Sequence, residues 1–183
     1  MTPPQATPQP VNVPPCVASP KLEPLVAYLQ GLRGRADLAA LARLLDELDI
    51  DRGDIAPACV FGTRGYRRNT IARGEWFELL ALCWRSGDCT PIHDHEGSSC
   101  AFKVIEGRGT EIRYERTASR LVCPVERRVL DAGTVCAAED NDIHQVANMQ
   151  AQGVDLITLH VYSPPIGQMG TYDFASGDPG EDT

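Results

Sequence analysis

Apolar positions change period partway along the chain. In the first third, Leu22, Leu25, Val26, Leu29 and Leu32 recur at helical spacing, and Gly31 and Gly34 close that run. A second helix is expected from an Asp37 cap, with Leu38, Leu41, Leu44, Leu45 and Leu48 along it. Residues 51–65 read as a short helical turn and loop. From Tyr66 onward the period shortens. Candidate strands are Tyr66–Ala72, Trp76–Trp84, Ser99–Glu106, Glu111–Glu115, Leu121–Leu130, Thr134–Ala138, Gln145–Asn148 and Val154–Tyr162. Glycine, asparagine, aspartate and proline separate them at short intervals. Many short strands so punctuated predict a mainly β fold, an antiparallel β-barrel or jelly roll, whose closure limits exposed strand edges. The N-terminal helices are expected to pack on one side of it.

Length and charge narrow the picture. A chain of 183 residues fits one domain with tails. Residues 1–20, rich in proline and poor in large apolar side chains, are expected to be a disordered lead-in. Residues 21–175 then form a single domain, with helices over 21–60 and the barrel over 66–175, and residues 176–183 form an acidic tail. A net charge of −8 argues against nucleic acid and anionic membrane surfaces as partners. The chain has no apolar run long enough to span a bilayer and no basic, apolar export leader. The seven cysteines lack any C-x-x-C spacing, which is the usage of reduced thiols in a cytoplasmic protein.

Histidine usage supplies the chemistry. Only four are present, and all fall in strand-like segments. His93 and His95 form an H-x-H pair, which on a strand points both imidazoles to one face. His144 comes from a separate segment and can close a site from a neighbouring strand. Three neutral imidazoles leave open positions on an ion, as catalytic rather than structural sites do, although imidazole alone suits zinc, copper, iron or nickel. His160 shares a strand face with Thr158 and Tyr162, so the three side chains can form one hydrogen-bonded line or a purely structural polar ladder. Arg68 offers a planar fork for a carboxylate, unless an acidic side chain takes it. Cys100 lies in an apolar run, where cysteine is most often a small buried hydrophobe.

The spacing of these residues resembles the two motifs of the cupin superfamily. Gly87, His93, His95, Cys100 and Gly107 match the first, and Gly133, His144 and Asn148 the second. Cys100 stands where the commonest first motif has a glutamate ligand. Glu139 and Asn141 replace the Pro-x-Gly of the second, and asparagine tolerates the left-handed turn that glycine would serve.

Within that superfamily the chain resembles the cysteine dioxygenase family. The resemblance rests on Tyr66-Arg67-Arg68-Asn69, Leu82-Cys83-Trp84, Ile92-His93-Asp94-His95, Cys100 and Leu159-His160-Val161-Tyr162-Ser163-Pro164-Pro165. It implies a cytoplasmic, monomeric enzyme of cysteine catabolism that uses O2 to oxidise free L-cysteine to its sulfinic acid at Fe(II). It implies that His93, His95 and His144 hold the metal, that Arg68 pairs with the substrate carboxylate, and that Tyr66 lines the pocket. Cys100 matches the cysteine that joins the active-site tyrosine, here Tyr162, through a thioether. His160 matches the histidine that orients that tyrosine, with Thr158 where the family commonly has serine, and Ser163-Pro164 matches a cis peptide. A preference for 3-mercaptopropionate is the nearest alternative, but members with that preference commonly carry glutamine in place of the arginine. A non-catalytic, small-ligand-binding cupin is a third reading, which Arg68 and the His160–Tyr162 pair disfavour.

Overall fold

Pro20 cannot donate a backbone hydrogen bond and suits a helix start. It opens a 3₁₀ turn, Pro20–Leu22, that runs into helix α1 (Glu23–Gln30). Asp37 caps helix α2 (Leu38–Asp46) as expected, its Oδ1 accepting from the Ala40 N–H at 2.8 Å. A second 3₁₀ stretch, Gly53–Ala58, follows. The computed structural model describes residues 19–95, 97–118, 121–138, 142–167 and 169–172. The expected lead-in up to residue 18, with Cys16, the acidic tail, and the motif positions Glu139 and Asn141 lie outside the described residues.

Ten strands follow among the described residues: β1 (Arg67–Arg73), β2 (Glu78–Trp84), β3 (Ile92–His93), β4 (Ser99–Glu106), β5 (Arg108–Arg116), β6 (Val122–Asp131), β7 (Val135–Ala138), β8 (Ile143–Ala147), β9 (Leu156–Ser163) and β10 (Thr171–Tyr172). They form two five-stranded antiparallel sheets, ordered β1-β2-β9-β4-β7 and β10-β3-β8-β5-β6. This is the jelly-roll form of the expected fold, with the helices packed on the first sheet.

Strand alternation builds two layers of core. Leu79, Ala81, Cys83, Ala101, Ile157, Leu159 and Val161 face the helices and pack with Leu25, Leu29, Leu41 and Leu45. Those four leucines are at most 1% exposed, and each contributes ~1.5–3 kcal/mol by leaving water. The alternate positions, Leu80, Leu82, Phe102, Val104 and Leu156, meet Leu130 and Val146 of the second sheet. Lys103 breaks the apolar pattern of the helix-facing side. Its Nζ donates to the carbonyl oxygens of Leu45, Asp46 and Leu48 at 3.0, 3.1 and 2.6 Å, so a buried ammonium caps the C-terminal end of α2.

The H-x-H pair departs from expectation. β3 ends at His93, and His95 lies in the irregular segment after it. Asp94 between them is tied to the segment that leads into β10: its N–H donates to Gly170 O at 3.1 Å, and its carboxylate accepts from Gly170 N–H and Tyr172 Oη–H. Gly107 of the first motif has φ +81°, and a Cβ there would overlap the Asp155 carbonyl oxygen, so only glycine fits. The Ser163–Pro164 peptide is cis. All six described cysteines are free thiols. No helix among the described residues is long and apolar enough to cross a membrane.

Candidate metal centre

Cross-strand pairing assembles the histidines. His93 of β3 sits directly opposite His144 of β8, and His95 swings in from the loop beyond β3. One ligand atom from each lies within 4.8 Å of the other two, and all three residues are buried. The ring centroids are 4.8–5.2 Å apart.

Hydrogen bonds fix two of the tautomers. His93 Nδ1 is 3.0 Å from the Pro91 carbonyl oxygen, which can only accept, so Nδ1 carries the proton and Nε2 keeps its lone pair. His144 Nδ1 is 2.8 Å from Glu111 Oε1. Burial would raise the Glu111 pKa, but the His144 hydrogen bond and the nearby Arg113 and Arg128 outweigh it and hold the carboxyl below its usual range. Glu111 is therefore the acceptor and His144 Nδ1–H the donor. Both ring nitrogens of His95 are buried without any hydrogen-bond partner. An orphaned buried imidazole is costly unless something binds it. Burial, followed by the neighbouring imidazoles, drives the His95 pKa down to about 2 and the His93 pKa down to about 4. His93 and His95 are thus neutral imidazoles with free lone pairs, His144 gives only its Nδ1 to Glu111, and the three residues together fit a divalent ion.

The other expected residues line the same pocket. Arg68, Tyr66, Cys100, His160 and Tyr162 surround the three histidines. Arg68 lies opposite Leu82 in β1–β2 and so shares its inward face. Its guanidinium sits 5.1 Å from the centre of the Tyr162 ring and 3.5 Å from Glu78 Oε2. Glu78 is bound more closely by Arg73, at 3.1 Å, so Arg68 has an acidic neighbour without being consumed by it. Tyr66 stacks on Trp84 with centroids 4.3 Å apart. Cys100 of β4 is directly opposite Tyr162 of β9. Burial pushes the Cys100 thiol and the Tyr162 hydroxyl up from their ordinary pKa values.

Thr158, His160 and Tyr162 do share one face of β9. His160 Nε2 is 2.9 Å from Thr158 Oγ1, and His160 Nδ1 is 3.4 Å from the Tyr162 hydroxyl. The line starts one residue earlier than the sequence suggested, at Trp84, whose Nε1–H donates to Thr158 Oγ1 at 2.9 Å. The Phe102 ring stacks on His160 at 4.7 Å and 8°. Burial, then the Arg68 charge, hold His160 neutral, well below its usual pKa.

A roomier cavity of about 510 Å³ lies nearby, lined by Asp94, Arg113, Tyr114, Arg116 and neighbours, but it contains no histidine. The convergent donors sit in the tighter pocket, which is where the chemistry belongs. Glu111 was not singled out from the sequence. Its strand presents Ile112 and Tyr114 to a small apolar cluster on the other side of the sheet, so simple alternation marks the wrong face as buried.

The model of the family described as cysteine dioxygenase type I matches residues 13–175. The chain belongs to that family. Human cysteine dioxygenase type 1 is 26% identical over 138 residues, covering 73% of this chain and 68% of the human protein. The zebrafish (Danio rerio) cysteine dioxygenase type 1 is 31% identical over 117 residues, covering 61% and 58%. Among solved structures, the TT1209 protein of Thermus thermophilus superposes with a TM-score of 0.50 at 19% identity, covering 60% of this chain and 92% of that one. A double-stranded β-helix protein of Klebsiella pneumoniae gives 0.50 at 15% identity, covering 64% and 93%. These two likenesses are of fold.

Proposed function

We propose that the chain is a thiol dioxygenase that oxidises free L-cysteine with O2 to cysteine sulfinic acid, with residues 21–175 acting as one cytoplasmic, monomeric catalytic domain. The observation that carries this reading is the convergence in one pocket of three buried imidazoles, a guanidinium and a histidine-held tyrosine. Fe(II), held by His93, His95 and His144, would supply the redox chemistry that joins O2 to sulfur.

The protein's own residues bind, orient and hold protons. Arg68 takes the substrate carboxylate through two charge-assisted hydrogen bonds. Glu78 remains paired with Arg73 when Arg68 turns to substrate, so no acid is stranded. Tyr66, braced on Trp84, walls the pocket. The Tyr162 hydroxyl, un-ionised because it is buried, is positioned by His160 to donate toward the reacting thiol. The Trp84–Thr158–His160 chain fixes the imidazole that fixes the tyrosine. Cys100 faces Tyr162 across the strand pair, where a thioether would form as the S–H and one ring C–H are replaced by an S–C bond, the two protons and two electrons released reducing O2 to H2O2. That bond would lock the ring.

Incubation with L-cysteine, Fe(II) and air tests the reading. A product heavier than cysteine by two oxygen atoms is expected, with oxygen uptake to match. No uptake by metal-loaded protein would sink it. Arg68 favours an amino acid over 3-mercaptopropionate, and kcat/KM should be higher for cysteine when the two thiols are compared.

A further inference from the structure

One buried charge has no part in the roles assigned above. Glu111 of β5 is 1% exposed and faces the histidine cluster. Its Oε1 receives the His144 Nδ1–H at 2.8 Å. Its Oε2 has no hydrogen-bond partner, and lies 3.5 Å from Arg128 Nη1 and 3.8 Å from Arg113 Nε. If the carboxylate served only to anchor those arginines, it would meet them at hydrogen-bond distance. Instead its one short bond goes to the histidine, and the arginines stand just beyond hydrogen-bond range, where they offset its charge without turning it away.

The first motif explains what this carboxylate offers. Cys100 occupies the position where the commonest cupin pattern supplies a glutamate ligand. Three imidazoles carry no charge, so a divalent ion among them keeps both its positive charges. A carboxylate one hydrogen bond away from a ligand compensates part of that charge and uses no coordination position. It also makes the donor imidazole more basic.

We propose that Glu111 is the positioning residue of the metal centre. It holds His144 with Nδ1–H outward and the Nε2 lone pair inward, and it supplies through that bond the negative charge that a direct carboxylate ligand would otherwise bring. The proposal rests on the metal-enzyme reading above and extends it to the partner of one of its histidines. Arg113 and Arg128, 3.8 and 3.5 Å from Oε2, stand as counter-charges on its far side. The open positions are thereby left for substrate and O2.

The test is anaerobic binding of Fe(II), read by competition with a chromophoric chelator, with the Co(II) visible spectrum as a second readout. Glu111→Gln keeps the shape and an acceptor oxygen but loses the charge, whereas Glu111→Ala loses both. Fe(II) affinity is expected to fall about 10- to 100-fold in Glu111→Ala and by less in Glu111→Gln, and the Co(II) bands to shift in both. Melting of the metal-free proteins separates a merely structural role, which would lower stability and leave affinity and spectrum alone. Folded Glu111→Gln protein that binds Fe(II) within about twofold of the parent, with unmoved Co(II) bands, overturns the proposal. If the unaltered protein itself binds no Fe(II), the functional reading fails first and takes this inference with it.

Discussion

Thr158→Val strikes the buried polar line at its middle. Valine copies the shape of threonine and removes only the hydroxyl. Thr158 is fully buried, and its Oγ1 lies 2.9 Å from both Trp84 Nε1 and His160 Nε2. The substitution strands the indole N–H and one edge of the imidazole where water does not reach. Each stranded polar group costs ~1–3 kcal/mol, so the pair costs about 4 kcal/mol at the middle of that range. For a chain of this length each kcal/mol lowers Tm by ~2–4 °C, which gives a drop of roughly 8–16 °C. Function should suffer separately. His160 loses its brace, the 3.4 Å contact to the Tyr162 hydroxyl loosens, and kcat falls. A loss of about tenfold is expected, typical for removal of an outer partner of a catalytic group. KM for cysteine should hold, because Arg68 is on another strand. Thermal unfolding of the metal-free protein and steady-state oxygen uptake measure the two effects. Thr158→Ser, which keeps the hydroxyl, should recover most of both. Thr158→Val protein that melts within about 2 °C of the parent, with unchanged kcat, would show that the line carries no load.

Other expectations follow from the same geometry. Arg68→Ala removes two charge-assisted hydrogen bonds, together about 3–4 kcal/mol, and should raise KM for cysteine roughly 100- to 1000-fold; an unchanged KM removes Arg68 from substrate binding. Tyr162→Phe should slow turnover and, by deactivating the ring, abolish the doublet that a Cys100 thioether produces on a denaturing gel. Saturating Fe(II) at about 100 times its Kd adds ~2.7 kcal/mol and should raise Tm by roughly 5–11 °C, a gain that a chelator reverses. Lys103→Met leaves the carbonyls of Leu45, Asp46 and Leu48 without their shared donor; a loss of about 2–4 kcal/mol in denaturant unfolding is expected, with kcat intact.

Much of this was legible from residue order, for identifiable reasons. Ser99–Glu106 was read with the bounds the structure gives it, because an apolar run between Ser98 and Gly107 leaves little freedom. β5 proved longer than read, extending back to Arg108, since its pairing with β6 starts at Arg108 and Asp131, which polarity alone marks as loop. β10, two residues long, has no pattern to read; it exists because Thr171 and Tyr172 pair with His93 and Ile92. The three clustered histidines carry motif spacing and Arg68 lies in a segment that resembles the family, whereas Glu111 has neither signal. Its partners, His144, Arg113 and Arg128, are brought to it only by the register of three strands. The ties of Asp94 to Gly170 and Tyr172 depend likewise on a segment more than seventy residues later.

That Asp94 tie has a practical meaning. The residue between His93 and His95 is fastened to Gly170 and Tyr172, and Met169 beside them borders the pocket. The far end of the barrel sequence therefore works as a clasp on the imidazole pair. Shortening the polypeptide to end before Gly170 would spare every histidine and still slacken the grip on iron, so a trimmed protein that looks complete by its motifs should load metal poorly.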